Sequence, residues 1–260
     1  EMSASLVGSE MCIRDRFLYM ESGTKPPTEE QQFQVFRLAA EAMGEKRVVI
    51  RTADLGGDKQ VNCLDLNGDP NPALGYRGIR VMLEKDEIFR THLRAILRAS
   101  MYGNIAVMFP MISSIEELRQ AKRQLEKAKK ELKEKKISYN ENIQVGVMIE
   151  TPAAVMISGE LAREADFFSI GTNDLSQFTL GMDRLNERLE GHYDAHHPAL
   201  LKMIRIITNN VHLEDKRISI CGDLAADLEM TEYFISLGID ELSVAPGQVL
   251  GLRKKIREIQ

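Results

Sequence analysis

Short apolar runs that end abruptly in acid, each followed by a helical pattern, restrict this chain to few folds. Residues 147–152 (VMIETP) and 167–175 (FFSIGTNDL) both have this form. Strands that alternate with helices make a parallel sheet, and such sheets carry their ligand sites at the C-terminal strand ends. Glu150 and Asp174 are therefore expected on one rim of the sheet, with Asn173 beside Asp174. Two carboxylates from neighbouring strand ends form a hard oxygen site suited to Mg²⁺ carrying a phosphorylated ligand. Phosphoryl or enolate chemistry is the expectation.

The same alternation runs through the rest of the chain. Strands are expected at 48–51, 105–111, 143–150, 167–172, 218–221 and 241–245, six strand-helix units and two short of a closed (β/α)8 TIM-type barrel. Thr28 with Gln31 forms a capping box, Phe33, Phe36 and Ala40 share a helical face, and Gly44 stands where a C-terminal stop belongs. Phe89, Leu93, Ile96, Leu97 and Ser100 make a second face. Ser114 with Glu117 opens a long helix striped by Leu118, Ala121, Leu125, Ala128 and Leu132, whose lysines and glutamates read as a solvated side. Thr151 and Pro152 suit the N-cap and first position of the helix after 143–150. Beyond residue 172 the pattern suggests a loop, then a helix from about Pro198. The glycine- and proline-rich stretch 52–76 is a loop long enough to be functional.

At 260 residues the chain can bury a large core, as one α/β barrel or as two smaller domains. A net charge of −5 leaves no basic footprint for nucleic acid. No apolar run is long enough to span a bilayer, and the start lacks a charged-then-apolar signal pattern, so a cytoplasmic location is expected. Cys12, Cys63 and Cys221 form no paired framework, which fits a reducing compartment. Residues 1–16 stand apart, with neither strand alternation nor helical period. They are expected to be non-native or disordered, with the domain proper over 17–260.

Several further residues could carry chemistry. Arg51 ends its strand and precedes Thr52, Asp54, Gly56, Gly57, Asp58 and Lys59; an arginine at that rim can fork onto a carboxylate or phosphate while glycines admit the ligand to the backbone. Arg77 and Arg184 are loop arginines that either close over an anion or make exposed salt bridges worth little. Lys59 is weaker, because most loop lysines are solvated. Cys221 is either a small buried hydrophobe or a proton donor, since a thiol with a pKa near ~8.5 is protonated at neutral pH. His192, His196 and His197 cluster in a loop, without metal-ligand spacing.

Together, VVIRTADLGGDK, NPALGYRGIR, VMFPMI, VGVMIETPAA, DFFSIGTNDLSQFTLGMDR, SICGDLAAD and LGIDELSVAP closely resemble, in order, the C-terminal domain of enzyme I of the bacterial sugar phosphotransferase system. The resemblance runs from about Phe17 to the end of the chain. It implies a (β/α)8 barrel that binds phosphoenolpyruvate and Mg²⁺ and forms a homodimer. In the whole enzyme of that family the phosphoryl group passes to a histidine on a separate N-terminal domain, then to a small histidine phosphocarrier protein, in service of sugar uptake. Carried over by motif, Glu150 and Asp174 resemble the metal ligands, Asp174 also facing substrate, while Asn173, Arg51 and Arg184 resemble phosphate contacts. Arg77 and Lys59 are similar to further ligand-facing positions. Cys221 resembles the acid that protonates the departing pyruvate enolate.

The pattern is departed from at the start. No phosphohistidine domain is in the sequence, the first barrel strand and helix are missing, and a second strand expected to read like GIGLLRTEFLYM survives only as IRDRFLYM. Arg14 falls in register with a substrate arginine, yet Arg16 stands where glutamate is expected. SLVGSEMCIRDR resembles translated sequencing-adapter read-through. A barrel truncated at its N-terminus is the resulting expectation. The alternatives are the barrel domain of a pyruvate phosphate dikinase or phosphoenolpyruvate synthase, a metal-dependent aldolase, or a non-catalytic fragment.

Overall fold

The computed structural model describes residues 10–14, 18–19, 25–56, 71–189 and 191–259. Lys59 and Cys63 lie outside them, as does most of the 52–76 loop. Two compact units result, residues 1–111 with 116–145, and residues 112–115 with 146–260.

The first unit holds β1 (Glu10–Arg14), α1 (Glu29–Met43), β2 (Arg47–Arg51), α2 (Ile79–Glu84), α3 (Asp86–Ala99), β3 (Ile105–Phe109) and nearly all of α4 (Ile115–Glu134). β1, β2 and β3 pair in parallel and in chain order. Every residue of β3 is buried, as parallel strands covered by helices require, which is why IAVMF is a continuous apolar run. The capping box opens α1 as expected: Thr28 Oγ1 accepts from Gln31 N, and Thr28 N donates to Gln31 Oε1 at 2.9 Å. Gly44 closes the helix at φ 58°. The stripe foreseen on α4 is buried throughout.

Between α1 and α3 lies a polar contact inside the core. Gln32 Nε2 donates to Pro27 O at 2.9 Å, so Gln32 Oε1 is the atom facing His92 Nδ1 at 2.6 Å and the proton belongs to Nδ1. Outside it, Arg94 Nε and Arg98 each reach Glu29 at 2.8 Å. Burial raises the Glu29 pKa, but the hydrogen bonds and charges of Arg94 and Arg98 outweigh it and hold the carboxyl below its ordinary value.

The second unit holds most of β4 (Gln144–Ile149), then α5 (Pro152–Met156), α6 (Ser158–Ala162), β5 (Phe167–Gly171), α7 (Thr172–Leu180), α8 (Pro198–His212), β6 (Arg217–Cys221), α9 (Thr231–Ser236), β7 (Glu241–Ser243) and α10 (Val249–Ile259). Its strands are again parallel and follow chain order from β4 to β7. The succession of parallel strand and helix is the α/β pattern of a (β/α)8 barrel. Among the described residues, no helix is long and apolar enough to cross a membrane.

All six expected strands form, with ends shifted by at most two residues. Three findings depart from the sequence reading. The strand expected to survive as IRDRFLYM forms earlier, as Glu10–Arg14, within a stretch read as lacking strand alternation, with Met11 and Ile13 buried and Glu10 and Cys12 partly exposed, a period of two too short to stand out in the sequence. Its pairing says nothing of where the segment came from, because an open strand edge accepts any extended backbone. The helix after β4 begins as foreseen, with Thr151 Oγ1 accepting from Ala154 N at 3.1 Å, but breaks at Ile157 into α5 and α6. The supposed loop after β5 is α7, so Asn173 and Asp174 occupy a first helical turn. Short polar residues there suggest a turn, yet an acid in the first turn also favours a helix through its dipole, and the burial of Leu175 and Ser176 decides the outcome.

Candidate functional site

In the second unit three strands end together. Glu150 directly follows β4 and is buried. Its carboxylate lies against the last residue of β5: a Cβ placed on Gly171 would sit 2.7 Å from Glu150 Oε2 and 2.9 Å from Glu150 Cβ. Only glycine at 171 lets this carboxylate rest over the end of β5, three residues before Asp174. Gly171 is in turn the register partner of Cys221 at the end of β6. Glu150, Asp174 and half-buried Cys221 thus belong to one rim.

That rim is tied together by hydrogen bonds. Thr172 Oγ1 donates to Cys221 O at 2.8 Å, joining the start of α7 to the end of β6. Asn173 Oδ1 accepts from Asp223 N at 2.8 Å, and Asn173 Nδ2 donates to Asp223 Oδ2 at 3.1 Å. Gly222, at φ +95°, permits the close approach. Arg184 is exposed on the loop that follows the left-handed cap Gly181, and its backbone N donates to Gln177 Oε1 at 3.2 Å. Farther along this loop His196 Nε2 meets Asp227 Oδ2 at 2.5 Å, and His197 caps α8 by accepting from Ala199 N. Burial raises the Asp227 pKa, but the hydrogen bonds from His196 and Glu229 N prevail and keep it below its usual range. These histidines are thus occupied in turn and cap contacts.

In the first unit Arg51 ends β2 and is buried. Arg77 is buried too, not an exposed loop residue: its Nε and Nη2 fork onto Asp54 at 3.2 and 2.8 Å. The same Asp54 Oδ2 lies 3.5 Å from Arg51 Nη2. One carboxylate therefore fixes both guanidinium groups. A Cβ on Gly56 would fall 2.6 Å from Tyr76 O, so glycine there lets the two ends of the long loop close on each other, while one on Gly78 would fall 2.8 Å from Met111 Cγ, just beyond β3. Arg14 ends β1 opposite Arg51 in the register, its side chain lying outside the described residues.

The sequence reading missed Asp54, Asp223, Gly171 and Gly222 as site-building residues. Asp54 was visible as an acid three residues beyond Arg51, and Asp223 as one two residues beyond Cys221. Neither spacing reveals a partner that is distant in sequence. Among the described residues no group of three or more His, Cys, Asp or Glu stands ready to hold a metal. Glu150 and Asp174 offer two hard oxygen donors.

Residues 7–260 match the family described as PEP-utilising enzyme, PEP-binding domain. The chain belongs to this family. Relatives of the family include phosphoenolpyruvate-protein phosphotransferases from Haemophilus influenzae, 46% identical, and Priestia megaterium, 44% identical, each aligned over 246 residues covering 95% of this chain and 43% of the relative. The relatives are enzymes, and the chain spans less than half of their length. Among solved structures, a citrate lyase from Burkholderia xenovorans is similar at TM-score 0.57 and 16% identity, covering 89% of this chain and 64% of that one. A Haloferax volcanii malate synthase in a pyruvate/acetyl-CoA ternary complex is similar at TM-score 0.58 and 15% identity, covering 97% and 62%. At such identities the likeness is one of fold.

Proposed function

We propose that this chain is the phosphoenolpyruvate- and Mg²⁺-binding part of a cytoplasmic phosphoenolpyruvate-protein phosphotransferase that serves sugar uptake. The observation that carries the reading is the Glu150 carboxylate resting over Gly171, three residues before Asp174, in a chain 44–46% identical to such enzymes. A pair of carboxylates suits Mg²⁺, which keeps several waters and takes its other oxygens from phosphate, better than it suits an ion that demands a full protein cage. Glu150 and Asp174 would hold the metal. When bound, it supplies positive charge that stabilises the phosphoryl group and the developing enolate.

The chain's own residues would do the rest. Arg51 and Arg184 contact phosphate oxygens, and Asn173 donates to one. Arg77, Lys59 and Arg14 serve as further ligand contacts. Breaking the P–O bond of phosphoenolpyruvate passes the phosphoryl group to a histidine on a separate N-terminal domain and leaves the pyruvate enolate. Cys221 then gives its thiol proton to the enolate carbon, completing pyruvate, and the thiolate regains a proton from water. The phosphohistidine passes its group to a histidine phosphocarrier protein, and the enzyme works as a homodimer.

Glu150→Gln and Asp174→Asn test the metal assignment. Each removes one anionic ligand while keeping the size of the side chain, so each is expected to abolish Mg²⁺-dependent phosphoenolpyruvate binding in calorimetry while circular dichroism stays unchanged. Unaltered affinity in both variants would refute the assignment.

A further inference from the structure

We infer that Asp223 is a positioning residue, holding the Asn173 amide in the one orientation that offers a hydrogen-bond donor to the ligand. The inference rests on the function proposed above, which makes Asn173 a phosphate contact. Asp223 presents two different groups to the same amide: its backbone N–H, which can only donate, meets Asn173 Oδ1 at 2.8 Å, and its carboxylate, which can only accept, meets Asn173 Nδ2 at 3.1 Å. Turning the amide over would set its oxygen against the carboxylate and its NH₂ against the N–H. Both contacts would become repulsive. The orientation is therefore fixed without reference to any ligand.

The turn that carries Asp223 is itself fastened. A Cβ on Gly222 would lie 2.4 Å from Thr172 Oγ1 and 2.5 Å from Asn173 Oδ1, so the approach exists only because residue 222 is glycine. Thr172 Oγ1 holds the preceding residue through Cys221 O at 2.8 Å. An amide nitrogen has two hydrogens, and Asp223 takes one. The other remains for an acceptor. A ligand group beside Asn173 must thus present acceptor oxygen, as a phosphate or carboxylate does; a group presenting a donor gains nothing there.

The test measures phosphoenolpyruvate affinity by calorimetry, in excess Mg²⁺, for the parent chain, Asp223→Ala, Asp223→Asn, Asn173→Ala and the Asn173→Ala/Asp223→Ala double variant. Loss of the carboxylate should weaken binding roughly three- to tenfold, the range of one hydrogen bond. Asp223→Asn keeps an acceptor oxygen and should restore most of the affinity. With Asn173 already absent, Asp223→Ala should add no further loss, because the two residues act through one contact. An undiminished affinity in Asp223→Ala, or an equal loss in both backgrounds, overturns the inference. The side-chain amide signals of Asn173, followed by NMR without ligand, give a second reading: Asp223→Ala should shift them and speed exchange of one amide proton, and unchanged signals would also overturn it. If the parent chain binds no phosphoenolpyruvate, the function proposed above fails, and these signals still decide the role of Asp223.

Discussion

Some buried polar residues in this chain, Asp54 and His92 among them, have partners far away in sequence, and that decides what each can do. Asp54 is held in the core by two arginines, Arg51 and Arg77, and in holding them it sets their spacing. The sequence showed the arginines and hid their common partner, because 23 residues separate Asp54 from Arg77. Cys221 was legible as a strand end, but its chemical role depends on a proton that only kinetics reveals. Cys221→Ala should bind phosphoenolpyruvate with near-normal affinity, since a proton delivered after phosphoryl loss adds little to ground-state binding. Pyruvate formation, assayed with a phosphohistidine domain supplied, should slow by about 10²-fold or more, the usual worth of a placed general acid. Undiminished turnover would return Cys221 to a packing role. His92 gives a pH dependence. Burial pushes its imidazole from 6.5 down to about 3, so the folded chain keeps it neutral while the unfolded chain binds a proton below about pH 6.5. Stability from this residue is complete above that pH and falls as pH drops toward 3. At pH 5 the loss is about 2 kcal/mol, taken as 1.36 kcal/mol per unit. His92→Leu should be weaker at neutral pH, because Gln32 Oε1 loses its donor, yet lose less between pH 7.5 and 5 in urea melts. Equal losses in parent and variant would assign the acid sensitivity elsewhere.

At the scale of elements, what could be read in advance was what local chemistry controls. The Thr28 and Gln31 capping box, the Thr151 cap with Pro152, the Gly44 stop and the apolar stripe of α4 all form as the sequence suggests. Elements decided by packing were not legible. The start of α7 carries the Thr, Asn and Asp of a turn and becomes helical because Leu175 and Ser176 have a core to enter. The break at Ile157 and the strand at Glu10–Arg14 likewise depend on neighbours rather than on propensity. The capping box offers a direct check. Thr28→Ala removes the acceptor for Gln31 N and one partner of Gln31 Oε1, and should cost about 1 kcal/mol. Thr28→Ser, which keeps the oxygen, should cost a few tenths at most. Chemical denaturation of the three proteins measures it, and equal midpoints for Ala and Ser would show that the box does not set the start of α1.

For the molecule as a whole, ligand-linked stability is a property that can be measured on this chain by itself. Whatever binds the folded state alone raises its stability by RT ln(1 + [L]/Kd), about 2.7 kcal/mol at a hundredfold excess over Kd. For a chain of this size each kcal/mol moves the melting temperature by roughly 2–4 °C, so saturating phosphoenolpyruvate with Mg²⁺ should raise it by about 5–10 °C. The carboxylates Glu150 and Asp174 make the metal part of that effect. With both left unneutralised, their charge opposes the approach of a phosphate, so phosphoenolpyruvate added with a chelator should give little or no shift, and Mg²⁺ alone only a small one. A full shift in chelator would mean that the arginines bind the anion unaided, and would remove the metal from the proposal while leaving the ligand. No shift under any condition would remove phosphoenolpyruvate binding from this chain, however close its relatives are in sequence.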